Sequence, residues 1–157
     1  MRQGKLKHFA YFIKSPNLSV VHVVDAVSRD KESKGEFGDY WDSYDGLDPD
    51  FLFIGAAGHH TRMIDNFGKK HIIGPTTLSP VQAAKITQRI KPKNVAVAGV
   101  FNFSIWDARV EFVLPYEFVE TQFYWALSFL EPSIAIHQVR PGETFRKGED
   151  GNWYKGR

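Results

Sequence analysis

At 157 residues, with 43% apolar and 15% aromatic side chains, the chain has the length and the packing material of one globular domain rather than a disordered segment. Its 20 basic and 18 acidic residues leave +2, too even a balance for the electrostatic footprint of a dedicated nucleic-acid binder. The absence of cysteine excludes a disulfide framework, a thiolate zinc site and a cysteine nucleophile, so any metal ligand must be histidine or carboxylate.

Met1 to Lys7 is basic, but the apolar run that follows contains His8 and stops at Lys14 and Pro16, unlike the h-region of a signal peptide. No stretch approaches the ~20 apolar residues of a spanning helix. The expectation is a soluble cytoplasmic protein, one domain over residues 1–157, without repeats or linkers.

Taken in order, His8 to Lys14 and Leu18 to Val24 predict two strands joined by a hairpin at Ser15-Pro16-Asn17. The second run is nearly all apolar, as in a strand covered on both faces, and His22 within it reads as a structural histidine. Residues 28–50 are polar and acidic, with a short helix around Asp39 to Tyr44. There Tyr40, Trp41 and Tyr44 alternate with Asp39, Asp42 and Asp45, as in an amphipathic cover for the core, with part of an interface as the alternative.

Phe51 to Ile54 predicts a central strand that opens at Gly55-Ala56-Ala57-Gly58 into a long loop reaching about Thr77. In an open α/β sheet ligands bind outside the carboxyl ends of the strands, so His59 and His60 occupy a favoured place. Thr61, Arg62, Lys69, Lys70 and His71 share the loop, giving it imidazole and cationic groups for a phosphate or carboxylate. His59, His60, Arg62 and His71 are therefore the candidate substrate-binding residues; a solvated basic loop is the alternative.

Ser79-Pro80-Val81-Gln82 carries an N-cap serine, proline at the first helical position and glutamine three residues on, a capping box that starts a helix. Ala83, Ile86 and Ile90 mark its buried side, Gln82, Lys85 and Arg89 the other, and Pro92 ends it. Asn94 to Val100 predicts another buried strand, Val110 to Val113 a short one, and 115–130 a helix with Phe118, Thr121 or Gln122, Trp125 and Phe129 along one stripe. Ser133 to Val139 predicts the last strand, Gly142-Glu143-Thr144 a turn, and the end from about Arg146 is expected to be loosely held.

Four stretches in this order resemble the second half of metallo-β-lactamase-fold hydrolases, in particular the L-ascorbate-6-phosphate lactonase-like and N-acyl-phosphatidylethanolamine phospholipase D-like branches. They are Val20 to Asp25; Asp50 to Ala56; Leu78 to Ala84 with Ile90-Lys91-Pro92-Lys93-Asn94-Val95-Ala96-Val97; and Val139-Arg140-Pro141-Gly142-Glu143-Thr144. Together they cover roughly residues 8 to 146. The resemblance implies an α/β fold that is half of an αββα sandwich, a mixed sheet with two main helices on one face.

It also implies a metal ligand at Asp25, the position of the family's bridging aspartate; an aspartate that caps the following loop through backbone N–H groups is the equal alternative. The family's His-x-His-x-Asp-His motif is absent, and Gly99 stands where its last metal histidine falls, so zinc or manganese is expected only if a partner chain supplies ligands. A half-sandwich exposes one apolar sheet face, for which Phe9, Phe12, Val20, Phe51, Phe53, Val95 and Val97 are candidates. A homodimer, or a subunit carrying the missing half, would cover it; residues 101–125 folding back are the alternative. Three functions remain open: a catalytically reduced subunit for assembly or ligand binding, the C-terminal portion of a metal-dependent phosphodiesterase or lactonase completed by another chain, and a small-anion-binding module using the loop from Gly58 to Thr77. No nucleic-acid or membrane partner is expected.

Overall fold

A computed structural model describes residues 10–23, 44–56, 61–64, 66–73, 78–98, 110–111, 116–140 and 142–156. Its elements are β1 (Tyr11–Ser15), β2 (Leu18–Val23), β3 (Phe51–Gly55), β4 (Thr61–Ile64), β5 (Lys70–Ile73), α1 (Pro80–Ile90), β6 (Asn94–Ala98), β7 (Val110–Glu111), α2 (Tyr116–Leu130), β8 (Ala135–His137), β9 (Thr144–Lys147) and β10 (Trp153–Gly156). A five-stranded mixed sheet in the order β1-β2-β3-β6-β8 forms the centre. Only β1 and β2 are antiparallel, joined at the turn where Ser15 Oγ donates to the Leu18 carbonyl; β2, β3, β6 and β8 run parallel.

One face of this sheet is sealed by both helices. Alternation along the strands sends Val21, Val23, Leu52, Ile54, Val95 and Val97 to the same side, where they meet Ala83, Ile86 and Ile90 of α1 and Phe123 and Leu127 of α2. The reciprocal capping box of α1 is present: Ser79 Oγ accepts from the Gln82 N–H at 3.3 Å, and Gln82 Oε1 accepts from the Ser79 N–H at 2.9 Å. Its last turn closes at Lys91, which takes the left-handed conformation at φ 55° and donates to the Thr87 carbonyl. The freed carbonyls of Arg89 and Ile90 accept from the N–H groups of Gly46 and Asp48, so the segment before β3 caps the helix. On α2 the buried carboxylate of Glu120 accepts from both Arg140 Nη atoms and from the Tyr124 hydroxyl, tying the helix to the chain after β8.

Two expectations about these segments change, and the outer face of α2 is settled. The stretch from Gly55 to Thr77 is not one loop, because β4 and β5 form an antiparallel hairpin there, with Gly68 at φ 75° in its turn and β7 added on the other side of β4. The end from Arg146 is a hairpin of β9 and β10: Phe145 and Trp153 pack on Phe51 with ring centroids 5.8 and 5.4 Å away. The stripe Phe118, Trp125 and Phe129 lies on the exposed side of α2, while Val119, Phe123 and Leu127 face the core. Two apolar stripes at helical spacing compete on this helix, and the one that meets α1 is buried.

The opposite sheet face is aromatic. Register sets Tyr11, His22, Phe53 and Ala96 across it, beside a second row containing Ile13, Val20 and Phe51, so of the candidate face residues Val20, Phe51 and Phe53 belong here. Phe12, Val95 and Val97 belong to the helix-covered face, and Phe9 lies outside the described residues. His22 sits between Tyr11 and Phe53 with centroids at 6.4 and 6.3 Å, in the half-buried row rather than in the helix-sealed core. The β9–β10 hairpin covers the Phe51 region, whereas Tyr11 and Ile13 stay exposed. Residues 101–109 and most of the helix expected at 39–44 lie outside the described residues.

Candidate functional site

The parallel strands bring their carboxyl ends to one edge: Val23 pairs with Ile54, and Gly55 with Ala98. Asp25 follows Val23 by two residues, and His59 and His60 follow Ala56 by three and four; all three lie outside the described residues, as does Gly99. Arg62 is on β4, opposite Ile72 and Glu111, and His71 is on β5, opposite Met63. Directly paired residues share a face of an antiparallel sheet, so Arg62 and His71, one position out of phase, belong to opposite faces of the small sheet. Arg62 shares its face with Glu111. Among the described residues no group of three or more His, Cys, Asp or Glu is gathered to hold a metal ion.

Side-chain chemistry is best assembled at the amino ends of the same strands. Asp50, immediately before β3, accepts through Oδ2 from the Ser19 N–H at 2.9 Å and the Ser19 hydroxyl at 3.1 Å. Its Oδ1 accepts from Lys93 Nζ at 2.9 Å, with Lys147 Nζ at 3.6 Å. The Asp50 N–H donates back to Ser19 Oγ at 3.0 Å, so one hydroxyl serves as both donor and acceptor. The Lys93 ammonium and the Ser19 donors, acting against the cost of desolvation, hold the carboxyl of Asp50 down at about 2. These contacts knit the starts of β2, β3 and β6 to β9.

A second polar link runs alongside. Asn94 donates through Nδ2 to the Asp50 carbonyl at 2.9 Å, which leaves its Oδ1, 2.8 Å from His137 Nε2, as an acceptor. His137 is therefore the donor in that pair, with a proton on Nε2. Its ring lies 5.5 Å from Phe51 and 5.2 Å from Phe145, and burial pushes its pKa below the usual histidine value. The imidazole is thereby held neutral as a structural donor.

Asp50 opens on a depression of about 450 Å3 whose wall also carries Lys14, Ser19, Lys93 and Lys147. None of these residues is a site candidate in the sequence reading. Their signal is slight: a charged residue set directly before a buried apolar strand, as in Asp50-Phe51 and Lys93-Asn94. On the far side of the molecule, α2 offers an uncharged stripe of Phe118, Gln122, Trp125 and Phe129 to solvent, with Trp125 84% and Phe129 89% exposed. No helix among the described residues is long and apolar enough to cross a membrane. No family model matches the chain, and no curated protein and no solved structure matches it.

Proposed function

We infer that the chain is a metallo-β-lactamase-like half-domain that serves as an assembly subunit, pairing with a second copy of itself through the outer face of α2. The mixed sheet with both helices on one face supports the half-domain, together with the order of the four resembling stretches. The exposed aromatic stripe carries the assembly reading, since solvated aromatic side chains in a continuous row are costly and mark interfaces.

A second copy is the occupant that fits. Residues 118, 122, 125 and 129 are spaced four, three and four apart, a pattern that reads the same in both directions. An antiparallel two-fold crossing therefore lays Phe118 on the partner's Phe129 and Gln122 on the partner's Trp125. No charge lies in the stripe, and α2 contains no lysine or arginine, which disfavours an anionic lipid surface. With Phe118, Trp125 and Phe129 49, 84 and 89% exposed, each copy offers roughly 500 Å2 of aromatic surface. That is less than the ~800 Å2 per partner of a standard interface, so the dimer is a weak one that forms in the micromolar range.

In this reading zinc or manganese enters only with ligands from another chain. Sedimentation equilibrium across the micromolar range tests the pairing. A monomer–dimer equilibrium is expected, shifted to monomer by Trp125→Glu with unchanged far-UV circular dichroism. A wild-type monomer at every concentration, or a dimer that Trp125→Glu leaves intact, would overturn it. A complex with a different subunit carrying stoichiometric metal would replace it with the completed-hydrolase reading.

A further inference from the structure

We propose that the depression at the amino ends of β2, β3 and β6 binds a small dianion of the phosphate class. It is independent of the assembly surface and lies at the opposite end of the parallel strands from Val23, Gly55 and Ala98.

Charge is the first argument. Lys14, Lys93 and Lys147 face a single carboxylate, Asp50, around a space of about 450 Å3, which leaves two positive charges in surplus. The second is the way Asp50 is occupied: Oδ2 accepts two donors from Ser19, and Oδ1 accepts from Lys93 at 2.9 Å. Lys147 stands off at 3.6 Å, beyond hydrogen-bond length, and Lys14 has no carboxylate within ion-pair distance among the described residues. Two ammonium groups therefore retain donors for a ligand.

The third argument is selectivity. A multi-oxygen dianion can meet two or three lysine ammonium groups at once, which outweighs its repulsion by the single Asp50 carboxylate, whereas a singly charged anion with one contact gains far less. Asp50 also preorganises the rim, because its bonds to Ser19 and Lys93 fix the strand ends from which Lys93 projects. A phosphate group loses its second proton at about pH 6. Binding should thus strengthen between about pH 5 and 7, one unit either side of that proton loss.

The test is titration of the full chain with inorganic phosphate or glycerol phosphate, followed by amide NMR shifts at ionic strength held constant with sodium chloride. Saturable shifts at Ser19, Asp50 and Lys93, growing with pH, are expected. The double variant Lys14→Ala/Lys147→Ala, which leaves the Asp50–Lys93–Ser19 bonds in place, should weaken binding roughly tenfold or more. Binding of glycerol phosphate alone would assign a phosphate monoester, and binding of inorganic phosphate the free ion; either supports the site. Shifts matched by chloride, shifts outside this end of the sheet, or undiminished binding in a folded double variant would overturn it.

Discussion

Replacing Asp50 by asparagine keeps the shape of the side chain and removes its charge. The carboxylate receives donors at both oxygens, two from Ser19 and one from Lys93 with Lys147 near, so whichever oxygen becomes an amide group meets a donor with a donor. Displacement of the pKa from 3.8 to about 2 sets an upper bound near 2.4 kcal/mol, at about 1.36 kcal/mol per unit. Lys93 is 68% exposed and its pull is screened by water, which reduces the expected loss to about 1–2 kcal/mol. Because the folded-state pKa is depressed, this stability is present above the unfolded-state value and disappears as pH falls from about 4 to about 2. Urea unfolding of wild type and Asp50→Asn at pH 7 and again near pH 2 reads the difference. The gap should be present at pH 7 and close at low pH. Equal midpoints at pH 7, or a gap of the same size near pH 2, would refute the reasoning.

Further substitutions at four positions probe the scaffold. Leu127→Ala should cost about 2–5 kcal/mol in urea unfolding because Leu127 is fully buried against α1 and the sheet, whereas Trp125→Ala on the same helix should stay within about 0.5 kcal/mol, measured where the chain is monomeric. Ser79→Ala removes one half of the capping box and should lower stability by about 1 kcal/mol, a loss that Ser79→Asp largely restores. Gly148→Ala would place a methyl group 2.7 Å from Asp150 Oδ1 and from a ring carbon of Tyr154, so these side chains must swing aside and strain the bond from the Tyr154 hydroxyl to Asp150; the thermal unfolding midpoint should fall slightly.

Local chemistry made part of the fold legible. Proline at 80, serine at 79 and glutamine at 82 act within one turn, and the structure places the helix start there; the hairpin around Pro16-Asn17 follows in the same way. The β4–β5 and β9–β10 hairpins escape a pattern reading because their strands are four residues long and mix polar with apolar residues too briefly to show a period, with Gly68 and Gly151 as their main turn signals. On α2 the sequence contains both stripes but nothing that ranks them, since burial is decided by where α1 lies. The amino-end cluster is the least legible feature. Ser19, Asp50 and Lys93 are separated by 31 and 43 positions, and only the parallel register of β2, β3 and β6 brings them together.

Pairing through α2 can be read directly because the chain has no cysteine of its own. A single thiol introduced by Gln122→Cys, near the expected two-fold axis, should give a covalent dimer with a short bismaleimide at low micromolar protein, while Asn17→Cys in the exposed β1–β2 turn should not. A monomeric Gln122→Cys product, or equal cross-linking from both positions, would contradict a dimer built on the Phe118–Trp125–Phe129 face.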